Sequence, residues 1–79
     1  MQVLITITKG IIDDVAFFDD PGTAVLALSK YVKTMNPEHD EAAVYGEEGL
    51  IANAKHFLDE NEQYMENETL IEELSGQRE

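Results

Sequence analysis

The sequence predicts a small α+β domain in which an N-terminal β-hairpin packs on a helix. Three observations carry this. Residues 2–8 and 11–18 are rich in β-branched side chains and flank Lys9-Gly10, residues 20–36 repeat apolar side chains at helical spacing, and the 79-residue chain has no cysteine. One domain is the expectation at that length, with a core that holds only about 3–5 kcal/mol. Neither disulfides nor thiolate zinc can supplement it. The domain is expected over 1–75, followed by a disordered tail at 76–79.

In QVLITIT, Val3, Ile5 and Ile7 alternate with Leu4, Thr6 and Thr8, the period of two expected of a strand. Lys9-Gly10 supplies the turn, because glycine takes the positive φ of tight hairpin loops. The second strand, IIDDVAFF, covers about 11–18. A three-residue loop sets Val3, Ile5 and Ile7 on one face with Val15 and Phe17, and that face makes a good core. The other face then holds Thr6, Thr8 and Asp14 together with Leu4, Ile12, Ala16 and Phe18. A slip of one residue exchanges the two sets. In either register both faces keep apolar residues, which predicts a sheet covered on both sides by a helix, the chain's tail or a second copy.

The helix is expected over about 20–36. Asp20 suits the N-cap and Pro21 the first helical position, where its missing N–H costs nothing. Ala24, Val25, Leu28, Tyr31, Val32 and Met35 form one stripe. Lys30 and Lys33 fall late on the opposite face, suiting the negative end of the helix dipole, and Asn36-Pro37 stops the helix. Leu26 sits off the stripe and is expected to be exposed. EAAVYG, residues 41–46, reads as a third short strand. Beyond it, Leu50, Ile51, Ala54, Phe57 and Leu58 share a helical stripe, which predicts a helix over about 47–60. A fourth strand, paired around the two glycines of VYGEEGLIA, is the alternative. A short acidic C-terminal helix follows, capped by Asn67 and ended by Gly76.

The net charge of −12 is unevenly placed. Residues 1–36 carry four acids against three lysines, whereas residues 37–79 carry thirteen against Lys55 and Arg78. Such a chain repels phosphate backbones and anionic membranes, so neither nucleic acid nor membrane is an expected direct partner. The N-terminus lacks the basic and long apolar regions of a signal peptide, and no run reaches the ~18 apolar residues of a membrane helix. A cytoplasmic protein is the expectation.

Chemistry has few carriers. His56 precedes Glu60 by four residues, a spacing that shares a helix face, but no second local histidine completes a metal site. His39 lies in EHDE among solvated acids. The doublets Asp13-Asp14 and Asp19-Asp20 lack the alternating carboxylates and glycine of a calcium loop. There is no G-x-S-x-G elbow, glycine-rich phosphate loop or cysteine nucleophile. No catalytic residue, metal ligand or cofactor is assigned, and the chain is read as a non-enzyme.

The expected function is protein–protein association, with a second copy or as an adaptor for another protein. Its candidate interface residues are Leu4, Ile12, Ala16, Phe18 and Leu26, with Tyr64 and Met65 as apolar positions inside the acidic run 59–73. Two alternatives stand beside it. One is an acidic decoy that occupies the basic site of a nucleic-acid-binding protein. The other is a weak metal-binding protein using the two histidines.

Overall fold

Lys9 and Gly10 adopt positive φ values of 54° and 83°, so the hairpin closes through a two-residue turn that pairs Thr8 with Ile11. That turn type matches the natural strand twist. The computed structural model describes residues 1–76 and contains β1 (Gln2–Thr8), β2 (Ile11–Phe18), α1 (Pro21–Thr34), β3 (Asp40–Gly46), β4 (Gly49–Asn53), a 3-10 turn (Ala54–Phe57) and α2 (Glu68–Gly76). The four strands form one antiparallel sheet in the order β2-β1-β3-β4. Of the tail expected at 76–79, Gly76 closes α2, and 77–79 lie outside the described residues.

A bulge adjusts the hairpin. Ile7 pairs with Ile12 and Thr6 with Asp14, leaving Asp13 as the extra residue. Beyond it, Ile5 faces Val15 and Val3 faces Phe17. These are the pairs that a three-residue loop would have given, and the bulge restores them behind a two-residue loop. It also moves Ile12 onto the face of Val3, Ile5 and Ile7.

That face is not the core. Leu4, Thr6, Ala42, Val44 and Ala52 are buried on the other side, beneath α1, where Ala24, Val25, Leu28 and Val32 complete the interior. The small side chains at 24, 42 and 52 let the helix seat close to the strands. α1 begins as its sequence requires: Asp20 Oδ2 accepts the Thr23 N–H at 2.9 Å and its hydroxyl at 3.1 Å. Tyr31 and Met35 pack partly buried at the edge of the same core, and Leu26 points outward.

The segment expected as a helix over 47–60 takes the alternative instead. Gly49, with φ of 122°, closes a hairpin in which Gly46 pairs with Gly49 and Tyr45 with Leu50. A glycine costs about 1 kcal/mol inside a helix, and as a strand the segment pairs with β3 along the side away from β1. Ala52 and Ala54 turn inward, and Asn53 Oδ1 accepts the Lys55 N–H at 3.0 Å to start the 3-10 turn. The turn drives Phe57 into the middle of the core, where it is fully buried. The chain then returns along the helix layer. Asn67 Oδ1 accepts the Leu70 N–H at 3.0 Å, capping α2, which packs against α1.

Candidate functional site

Both chain-carried layers, α1 and the segment from Phe57 to α2, lie on one side of the sheet. The opposite face has no covering element among the described residues. Strand pairing arranges that face in three rows. Phe17, Val3, Tyr45 and Leu50 lie side by side across the four strands, followed by Val15, Ile5, Ala43 and Asn53, then Ile12, Ile7 and Glu41. Nine of these eleven positions are apolar, and Glu41 is the single charge.

The exposure is large where it matters. Phe17 is 67%, Ile12 63% and Leu50 52% exposed. Strand spacings of about 4.8 Å and a rise of about 3.3 Å per residue give the face an area on the order of 400 Å². Apolar patches of about 300–600 Å² are the largest that ordinary monomers show, and they are often functional.

The face is uneven. Phe17, Val15 and Ile12 stand as a ridge along β2, while Ala43 leaves a hollow over β3. The hollow opens into a groove of about 770 Å³ whose floor includes Ile5, Ile7, Ala43 and Tyr45. Past the end of β4 the groove continues to Met35 and Leu58, with the carboxylates of Asp59 and Glu62 at its rim. Its lining holds no serine, threonine or histidine. The groove is an extension of the apolar face, with Asp40, Glu41, Lys55, Asp59 and Glu62 as its charged lining groups.

The residues singled out from sequence distribute over both sides. Leu4 is buried beneath α1, and Ala16 and Phe18 share its side of the sheet, with Phe18 packed against the core. Their place is therefore the interior side, because the helix covers the Leu4–Thr6 face. Ile12 alone among the hairpin positions named for the interface lies on the open face. Leu26 is exposed on α1 and Met65 on the helix layer, both away from that face. Val3, Ile5, Ile7, Val15 and Phe17, read as core, are what the open face presents. Their alternation is visible in the sequence, but which alternating set faces the helix is not.

Tyr64 belongs to the fold. Its hydroxyl lies 2.7 Å from Ser29 Oγ, Lys33 Nζ sits 5.6 Å from its ring centroid, and its backbone bridges to Leu58. Ser29 is buried, so Tyr64→Phe leaves a buried hydroxyl without this partner. The expected loss is about 1–3 kcal/mol in urea unfolding. Tyr64→Phe combined with Ser29→Ala recovers most of it.

Both histidines also have structural partners. His56 Nδ1 accepts the Asn53 N–H at 3.0 Å, bracing the 3-10 turn, and that turn ends at Phe57, so His56 and Glu60 do not share a helix face. His39 Nδ1 lies 2.7 Å from Asp40 Oδ1. Among the described residues no three or more metal-binding side chains gather.

Asp40 is held below the ordinary carboxylate range, first by the Asn36 backbone N–H at 3.1 Å, then by the His39 ring, with a smaller contribution from the Lys9 amide. A depressed carboxylate stabilises above its unfolded value of 3.8, and that contribution disappears as pH falls through the lower folded value. The stability gap between the wild-type chain and Asp40→Asn is therefore expected to be constant from neutral pH to about 5 and to close in stronger acid. Urea midpoints across pH 2–7 measure it.

The carboxylates do not form one surface. Asp13 and Asp14 edge β2, Glu47 and Glu48 turn between β3 and β4, and seven others follow the 59–73 segment, of which Asp59 and Glu62 reach the rim of the groove. No described helix is long and apolar enough to cross a membrane. Compared with protein-family models, curated proteins and solved structures, the chain matches none of them.

Proposed function

We propose that this protein is a non-enzymatic association module that works by docking a polypeptide on the open face of its sheet. The observation that supports the reading is the run of nine apolar positions across all four strands, left uncovered with only Glu41 charged among them and further carboxylates at the rim. Covering such a face removes apolar area from water, the main favourable term in association. The carboxylates around it keep the chain soluble until it is covered. Dispersal of the acids over several surfaces gives the decoy reading no single charged face to present.

The neutral apolar dye Nile red tests the exposed face. The expected result is strong fluorescence with the wild-type chain in dilute solution and little with Phe17→Lys/Val15→Lys, while both give the same circular dichroism spectrum. Equal fluorescence from the two proteins contradicts the reading, because the dye would then be reporting some other surface.

A further inference from the structure

We infer that the outer edge of β4 is a docking strip for an extended polypeptide segment with an uncharged centre and basic residues at each end. The inference goes beyond the docking reading above: it concerns the edge of the sheet rather than its face, and it is tested separately. Three features of β4 and its surroundings support it.

The first is the contrast between the two edges of the sheet. The order β2-β1-β3-β4 leaves β2 and β4 each with one row of backbone groups that no strand pairs. Both edge strands carry a bulge, β2 at Asp13 and β4 at Ile51, which falls between the pairs Val44–Ala52 and Tyr45–Leu50. They differ in charge. β2 holds Asp13 and Asp14, and charged side chains on an edge discourage an added strand. β4, with the sequence GLIAN, holds neither a charge nor a proline.

The second is access. Among the described residues β4 packs only against β3, α1 and the 3-10 turn, and no strand runs along its outer side. At its far end His56 Nδ1 takes the Asn53 N–H at 3.0 Å, so the strip runs from Gly49 to Ala52. That is about 13 Å of extended backbone. An incoming strand hydrogen-bonds to it through the main chain, which supplies affinity, while alternate side chains supply specificity. Those that turn to the open side lie beside Leu50 and the groove, a place for apolar residues.

The third is the charge at the two ends of the strip. Glu47 and Glu48 precede β4 in the turn from β3, and Asp59 and Glu62 lie past its end at the rim of the groove. Glu48, Asp59 and Glu62 make no ion pair among the described residues, and Lys55 pairs with none of them. A segment laid on the strip therefore meets carboxylates at both ends, whichever way it runs. Basic residues around a short uncharged centre are the complement, and acidic ends are repelled.

Two synthetic peptides, Ac-KKVTVTKK-NH2 and Ac-EEVTVTEE-NH2, titrated to about 1 mM against the isotope-labelled wild-type chain, test this by backbone amide shifts. The lysine peptide is expected to shift Gly49, Leu50, Ile51 and Ala52 in a saturable manner, with β2 unaffected. It should bind at least tenfold more tightly than the glutamate peptide, and less tightly at 0.5 M salt than at 0.05 M, because opposite charges are screened. The same lysine peptide N-methylated at its four central residues cannot donate main-chain hydrogen bonds there and is expected not to bind. Glu48 and Glu62 are exposed, so Glu48→Lys/Glu62→Lys should keep the wild-type circular dichroism spectrum while inverting the preference between the two peptides.

No saturable binding of the lysine peptide overturns the inference. Equal binding of the glutamate or N-methylated peptide does so too, as do shifts that spare β4 or an unchanged preference in Glu48→Lys/Glu62→Lys. The Nile red comparison of the wild-type chain with Phe17→Lys/Val15→Lys does not depend on this edge, so the docking face stands or falls apart from it.

Discussion

Phe57→Ala is expected to leave the chain largely unfolded at 25 °C. Phe57 is the largest fully buried side chain, and it reaches the core from a 3-10 turn four residues long. Truncating a buried phenylalanine costs about 3–5 kcal/mol, because the lost transfer energy adds to the cavity left behind. A chain of this size has a total stability of about the same magnitude. The neighbours have little means of closing the space, since Ala24, Ala42, Ala52 and Ala54 are already small. The expected readout is loss of the cooperative urea transition and of most far-ultraviolet ellipticity. Phe57→Leu, which keeps most of the volume, should retain a folded baseline with a reduced midpoint. A Phe57→Ala protein as stable as the wild-type chain would place the core elsewhere.

Phe17→Lys is expected to act in the opposite manner, leaving stability nearly unchanged and removing association. The side chain is mostly exposed in the lone chain, so little packing is lost on substitution. A phenylalanine lost from an apolar contact costs about 1.5–3 kcal/mol, which corresponds to an increase of roughly tenfold to a hundredfold in the Kd of a ligand covering the face. Nile red titration beside urea unfolding reads the two quantities separately. A drop of several kcal/mol in stability would mean that Phe17 belongs to the core. An unchanged Kd would mean that the face takes no part in association.

This contrast between two phenylalanines marks where sequence reasoning succeeds and where it stops. The helix at 21–34 is written locally: Asp20 caps it, Pro21 opens it, and Ala24, Val25, Leu28 and Val32 recur at its period. The hairpin is local as well, fixed by Lys9-Gly10. What the helix covers is not local. β2 and β3 run parallel on either side of β1, so α1 is a crossover connection. The handedness of such connections governs which face their helix covers, independently of which face is more apolar. Val3, Ile5 and Val15 would make the greasier core, yet Leu4, Thr6 and Val44 are the residues α1 covers.

The bulge at Asp13 adds a second reason. Alternation alone places Ile12 with Leu4, whereas one extra residue moves it to the side of Ile7. Residues 49–58 show a third. Leu50, Ile51, Ala54, Phe57 and Leu58 satisfy a helical period, but Gly46 and Gly49 pair as a hairpin and β4 lies along β3. Long-range pairing overrides periodicity there. Apolar residues on both hairpin faces predict a sheet covered on both sides, whereas among the described residues only the Leu4–Thr6 side is covered, because helix and tail both pack there.

The account stands on the open sheet face being the surface through which this protein meets its partner. Backbone amide chemical shifts of the wild-type chain, followed in dilute solution as Nile red is titrated in, locate that surface residue by residue. The predicted result is dye-dependent shifts at Val3, Ile5, Val15, Phe17, Ala43 and Tyr45, with α1 and α2 unaffected. Shifts confined to the helix layer, or none at any residue, would contradict it.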